Sequence, residues 1–127
     1  MGVRSLDHLV LTVGDVKASV RFYETLGMRS ETFGAGRTAL RFGDQKLNLH
    51  TAGAEIAPHA ARPTPGSADL CFLVDGTLEE VAESLARAGI PVELGPVERT
   101  GAVSALSSVY VRDPDGNLVE LSVTAGS

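Results

Sequence analysis

The chain has no tryptophan, one cysteine and few aromatic residues, two Tyr and four Phe among 127 residues. The lone Cys71 excludes an internal disulfide framework. So few aromatic faces argue against a stacking platform for flat ligands. No cluster of Lys and Arg occurs, and eleven basic against sixteen acidic residues give a net charge of -5, so the electrostatic footprint of nucleic-acid binding is missing. No apolar run approaches a membrane span or a signal-peptide core, which sets membranes aside as partners and makes a cytoplasmic location the default expectation. What is present is a globular composition, with 43% hydrophobic and 21% charged residues. A length of 127 residues fits one domain over 1–127, or two small repeats sharing a core.

The most informative run is Tyr110-Val-Arg-Asp-Pro-Asp-Gly-Asn-Leu-Val-Glu-Leu-Ser-Val123, which reads as two strands joined by a tight turn. Pro114 presets φ, Asp113 can bond back to the turn backbone, and Gly116 supplies the left-handed residue a hairpin needs. In the second strand Val119, Leu121 and Val123 share one face, and Leu118, Glu120 and Ser122 the other. Taken alone, Glu120 faces water, as the second face of an antiparallel sheet commonly does.

In chain order, Leu6–Val13 is a strand run with Leu9, Leu11 and Val13 on one face and His8, Val10 and Thr12 on the other. Asp15 caps a helix whose stripe is Val16, Val20, Tyr23 and Leu26, and Gly27 ends it. Strands are expected around 28–34, 37–43 and 46–51. The connector 52–66, with Pro58, Pro63 and Pro65, is irregular and long enough to be functional or to join two halves. A fifth strand follows, with Ala68, Leu70, Phe72 and Val74 on one face and Ser67, Asp69, Cys71 and Leu73 on the other. Thr77 and Glu80 form a capping-box pattern before the stripe Leu78, Val81, Ala82 and Leu85, and Gly89 closes that helix. Strands around 91–98, 102–112 and 117–123 complete the pattern. Each half is therefore β-α-β-β-β, with modules of about 4–51 and 67–124.

Laying the first strand on the fifth pairs Val13 with Val74 and His8 with Asp69. In the last strand of each half, Leu49-His50-Thr51 stands where Val119-Glu120-Leu121 stands, allowing a one-residue turn adjustment. His8, His50, Asp69 and Glu120 emerge as four side chains able to bind divalent cations, each opposite the cleaner apolar stripe. His59 in the connector is either simply exposed or at the mouth of a pocket. Cys71 reads as a small, inert side chain in a buried strand. Arg99-Thr-Gly101 is either a solvated turn or an anion or substrate loop, with Arg99 and Thr100 as binding candidates. Tyr110 either offers its phenol to a ligand or packs.

Leu6-Asp-His8, Phe22-Tyr23, Leu26-Gly27 and Asp113-Pro-Asp-Gly-Asn-Leu-Val-Glu120 together resemble the vicinal oxygen chelate superfamily, the glyoxalase, bleomycin-resistance and extradiol-dioxygenase fold, over almost the whole chain. Phe42-Gly-Asp-Gln-Lys-Leu-Asn-Leu-His50 and Pro63-Thr-Pro-Gly-Ser-Ala-Asp-Leu-Cys71 are most similar to the branch called glyoxalase-domain-containing protein 5. The resemblance implies an α+β fold in which two βαβββ modules form an eight-stranded cupped sheet. It also implies a homodimer and a divalent metal, Ni, Zn, Mn or Fe, held by the first and last strands of each module. His8 and Glu120 match ligand positions. His50 lies near the fourth-strand position, with Asn48 on the same face as the alternative, and Asp69 stands where the family usually has His. The inventory of two imidazoles and two carboxylates equals that of a two-His, two-Glu glyoxalase site.

Three functions follow. The first is a metal-dependent, lactoylglutathione-lyase-like lyase or isomerase on a small carbonyl or thiol adduct, with Glu120 or Asp69 as the catalytic base and Arg99, Thr100 and Tyr110 holding the substrate. The second is non-haem iron dioxygenase or thiol-transferase chemistry on the same site, with His8, His50 and Glu120 as a two-His, one-carboxylate set. The third is a metal-free drug- or ligand-binding protein.

Overall fold

A computed structural model describes residues 1–124. The chain divides into two compact units, one ending at Ser67 and one beginning at Ala68, and each has the order β-α-β-β-β. The first contains β1 (His8–Val13), α1 (Val16–Thr25), β2 (Arg29–Phe33), β3 (Arg37–Phe42) and β4 (Gln45–Thr51). The second contains β5 (Asp69–Leu73), α2 (Leu78–Arg87), β6 (Leu94–Thr100), β7 (Ala105–Arg112) and β8 (Leu118–Thr124). The fold is thus α+β, built from two βαβββ modules, and each module forms its own four-stranded mixed sheet in the order β1-β4-β3-β2 or β5-β8-β7-β6. No helix among the described residues is long and apolar enough to cross a membrane.

Helix α1 starts where Asp15 accepts the Ala18 N–H at 3.1 Å, and α2 starts on a complete capping box between Thr77 and Glu80. Each cap satisfies backbone donors that the first helical turn leaves without partners. In the first module α1 lies against β2, β3 and β4, with Tyr23 fully buried and Leu11, Val13, Leu40, Leu47 and Leu49 forming the core. Complete burial of a side chain that large stabilises by about 1.5–3 kcal/mol. In the second module α2 lies against β7, and Leu85, Val109, Val111, Val119 and Leu121 fill the corresponding space. The apolar faces expected for β1 and β8 are buried at Leu11, Val13, Val119 and Leu121, and Thr12 and Ser122 on the opposite faces are buried as well.

Two local expectations are corrected. The sixth strand runs over Leu94–Thr100 instead of 91–98, and its ladder with β7 slips between Leu94 and Val97. Pro96 sits in that slip and has no N–H to give the ladder, which an edge strand tolerates and a central strand does not. Cys71 is exposed, not buried, because β5 is the outer strand of its sheet and the residue lies on the face away from the core.

The hairpin between β7 and β8 is a buried polar knot. Asp113, 5% exposed, accepts the backbone N–H groups of Asp115 and Asn117 on Oδ1, each at 2.9 Å, and the Asn117 side-chain amide on Oδ2 at 2.8 Å. Gly116, at φ 88°, takes the left-handed turn position. Asn117 Oδ1 in turn accepts the Ala68 N–H at 2.8 Å. One turn thereby fixes both β8 and the start of β5.

Candidate functional site

Residues directly opposite each other in a ladder project to the same face. In the second module Glu120 stands opposite Cys71 on one side and Tyr110 on the other. The face away from the core therefore carries Asp69, Cys71, Ser108, Tyr110, Glu120 and Ser122. Ser108 and Ser122 are both fully buried. Ser108 donates its hydroxyl to Glu120 Oε2 at 2.7 Å, and Ser122 Oγ lies 3.2 Å from the same oxygen and 2.7 Å from Ser108 Oγ. Cys71 Sγ lies 3.3 Å from Ser122 Oγ. Each hydroxyl has one proton, so the short contacts order a chain that runs from the Cys71 thiol through Ser122 and Ser108 to the carboxylate. Partial burial pushes the thiol up, the Ser122 hydrogen bond opposes this, and the charge of Glu120 and then of Asp69 adds to the rise.

The Ser108 hydrogen bond falls on Oε2, with the longer Ser122 contact on the same oxygen, so the serines hold the carboxylate from one side and leave Oε1 unclamped. Tyr110, its cross-strand neighbour, accepts Arg99 Nε–H at 2.9 Å, and the guanidinium lies 5.4 Å from the ring centroid. This brings a fixed cation to the Glu120 face. Thr100 pairs with Ala105 and so faces the other side of the sheet from Arg99 and Tyr110; it is not part of that group.

In the first module His8 is exposed at the start of β1, where its Nδ1 lies 2.8 Å from Asp7 Oδ1. A carboxylate only accepts, so Nδ1 is the donor and Nε2 keeps its lone pair in the neutral ring, the tautomer a metal-binding histidine needs. The bond to His8 is also the main cause that lowers the Asp7 carboxyl.

The structure separates His50 from His8. In the parallel β1/β4 ladder His8 pairs with Lys46 and Thr12 with His50, four positions further on. That is about 13 Å along the strand, too far for one ion bound by nitrogens at about 2.0–2.1 Å. The same ladder answers the choice between His50 and Asn48. Two residues beyond His8, Val10 pairs with Asn48; two residues beyond Asp69, Cys71 pairs with Glu120. Asn48 is therefore the register equivalent of Glu120. His50 lies instead against a cavity of about 280 Å³ that is bounded by Val10, Thr12 and the connector residues Pro58, His59, Ala60 and Pro63.

A divalent ion suits the donors individually: an imidazole with its tautomer fixed, a clamped carboxylate with one unclamped oxygen, and Asp69, which makes no hydrogen bond or ion pair among the described residues. Among the described residues no three His, Cys, Asp or Glu side chains gather closely enough to hold an ion.

Known proteins place this architecture. The chain is 52% identical over 123 residues to virulence protein STM3117 of Salmonella typhimurium, covering 96% of this chain and 85% of that protein. The crystal structure of that protein superposes with a TM-score of 0.96 at 50% identity, over 98% of this chain and 100% of the other. The glyoxalase domain-containing protein RDO1 of Mycosarcoma maydis is 52% identical over 122 residues, 96% of this chain and 69% of its own length. A lactoylglutathione lyase from Agrobacterium tumefaciens, at 24% identity, a TM-score of 0.73, and coverage of 97% of this chain and 96% of its own, shares the fold. Residues 5–121 match the family model described as the glyoxalase/bleomycin resistance protein/dioxygenase superfamily, and the chain belongs to that superfamily.

Proposed function

We propose that the chain is a divalent-metal-dependent, glyoxalase-like lyase or isomerase acting on a small carbonyl compound or its thiol adduct. The observation that carries this reading is the clamped Glu120 carboxylate, with Oε2 held by Ser108, itself backed by Ser122, and Oε1 free of both serines. The side chains with the chemistry to bind an ion are His8 in the first module and Asp69 and Glu120 on one face of the second. When bound, the ion supplies Lewis-acid stabilisation of negative charge on neighbouring substrate oxygens. Glu120, or Asp69 on the same face, takes the proton from the carbon beside the carbonyl. Arg99, braced on Tyr110, binds an anionic part of the substrate and holds the acidic carbon toward the carboxylate. The serine pair keeps the base from rotating between turnovers.

A dioxygenase built on His8, His50 and Glu120 has less support, because His8 and His50 lie four ladder positions apart. A cytoplasmic homodimer rests on family likeness; light scattering of the purified protein tests the dimer.

The test is elemental analysis of untagged protein prepared without chelators, with turnover of 2-oxoaldehyde–thiol adducts. Glu120→Gln and Asp69→Asn are expected to lose turnover while a measurable fraction of the metal stays bound. Unchanged turnover in both variants would sink the reading, as would a protein that takes up none of Ni, Zn, Mn or Fe.

A further inference from the structure

The two helices are equivalent parts of the repeated module, yet they carry opposite charge at equivalent places. Asp15 and Thr77 cap them, Val16–Thr25 and Leu78–Arg87 are each 10 residues long, and Tyr23 and Leu85, at the same distance from their caps, are buried. On that alignment Lys17 stands where Glu79 stands, and Arg21 where Glu83 stands. At 3.6 residues per turn these four lie on the side of their helix away from Tyr23 and Leu85. All four are exposed, and none makes a side-chain hydrogen bond or an ion pair among the described residues.

Each pair works against the helix that carries it, because like charges one helical turn apart repel. Neighbouring groups are engaged elsewhere. Glu24 on α1 is bonded to Ser30 at 3.1 Å, Glu80 on α2 belongs to the capping box, and the Arg87 guanidinium turns to Ser84 at 3.4 Å. The separation by sign extends to the whole modules: residues 1–67 carry eight Lys or Arg against six Asp or Glu, and residues 68–127 carry three against ten. A chain whose two halves have opposite net charge is complementary to a second copy of itself, and such complementarity steers encounter and fixes register.

We infer that α1 of one copy docks antiparallel on α2 of a second copy, with Lys17 facing the partner's Glu83 and Arg21 facing the partner's Glu79. Antiparallel alignment also sets the positive end of each helix beside the negative end of the other. Ala82 and Ala86, each three residues past one of the glutamates, are exposed beside them and leave room for the long basic side chains. A two-fold axis makes the contact twice, since the partner's α1 then meets α2 of the first copy. Exposed ion pairs are individually weak and are screened by salt, so the contact is reversible and salt-dependent. The inference uses no residue of the metal chemistry above; it names the surface for the homodimer that family likeness suggests.

Sedimentation equilibrium of the full chain at low and high salt reads the association. Lys17→Glu combined with Arg21→Glu makes both helices acidic, and Glu79→Lys combined with Glu83→Lys makes both basic. Each double variant alone is expected to associate at least about tenfold more weakly than the wild type, and the wild type to associate several-fold more weakly at about 0.5 M salt than at about 0.05 M. An equimolar mixture of the two variants is expected to recover association, because every contact between unlike variants again joins opposite charges. Recovery in the mixture also excludes misfolding as the cause of the loss, and neither variant touches a cap or a buried residue. A wild type that stays monomeric at low salt, or a mixture that stays dissociated, would overturn the proposal. A dimer that survives both reversals would overturn it as well, while leaving the homodimer itself in place on another surface.

Discussion

Asn117 Oδ1 accepts the backbone N–H of Ala68 across 49 residues of sequence, at 2.8 Å. The strand that carries Asp69 and Cys71 is thereby tied to the hairpin that carries Glu120, in the register that sets Cys71 opposite Glu120.

Removing that tie has a definite cost. Asn117→Ala leaves the Ala68 N–H without its acceptor and takes the Asn117 amide away from Asp113 Oδ2, and a buried donor that loses its acceptor costs about 1–3 kcal/mol. Urea unfolding is expected to show a loss of about 2–4 kcal/mol. Asp113→Ala acts on the same knot, so the double variant loses less than the sum of the two.

The serine clamp should separate activity from stability. Ser108→Ala removes the 2.7 Å bond to Glu120 Oε2 and lets the carboxylate turn. Turnover of a competent substrate is expected to fall about tenfold or more, as when a charge-assisted hydrogen bond is lost. Ser108→Thr, which keeps the hydroxyl, should restore part of it. A drop in melting temperature with unchanged kcat would show instead that Ser108 serves packing alone.

Cys71 is exposed, yet its thiol is pushed up by partial burial and by the charges of Glu120 and Asp69. The thiolate is the nucleophile, so iodoacetamide should modify Cys71 more slowly at pH 8 than it modifies a free cysteine. Glu120→Gln removes one of the charges and should speed the modification. An alkylation rate unaffected by Glu120→Gln would contradict the effect of the Glu120 charge on the thiol.

His50 gives the stability a pH dependence of known sign. Burial first, then the charges of Arg37 and His59, lower its pKa from 6.5, against Glu55. The unfolded chain therefore binds the proton more readily than the folded one, and stability falls as pH drops below the unfolded value. Thermal melts from pH 8 down to pH 5 should show this loss, reduced in His50→Leu. An identical pH profile in the variant would mean that another group controls the acid limb.

The capping residues Asp15, Thr77 and Glu80, the Asp113–Gly116 turn and the apolar faces of β1 and β8 were legible because each is decided within a few residues. Assigning His50 to the Glu120 position failed for a different reason. That assignment depends on how β4 aligns with β1, a pairing of His8 with Lys46 across the whole first module, and a count through the Gly43-Asp-Gln45 turn misses it by two residues. That Thr100 faces away from Tyr110 follows from the slip at Pro96, which changes which residues of β6 share a face with Tyr110 and has no signal in the loop Arg99-Thr-Gly101 itself. The serine pair had no sequence signal beyond parity: Ser122 follows Glu120 by two, but Ser108 meets it only through the β7/β8 ladder.

The slip at Pro96 has a consequence for how copies of the chain meet one another. Strand β6 is the outer strand of its sheet, and a long regular outer strand offers backbone groups on which a foreign strand can grow. Pro96 interrupts that row with a residue that has no donor, and the extra residue between Leu94 and Val97 twists the strand out of register. At elevated concentration or during refolding, this margin of the second sheet is a poor template for fibril-like growth, and replacing Pro96 with Val would make it a better one.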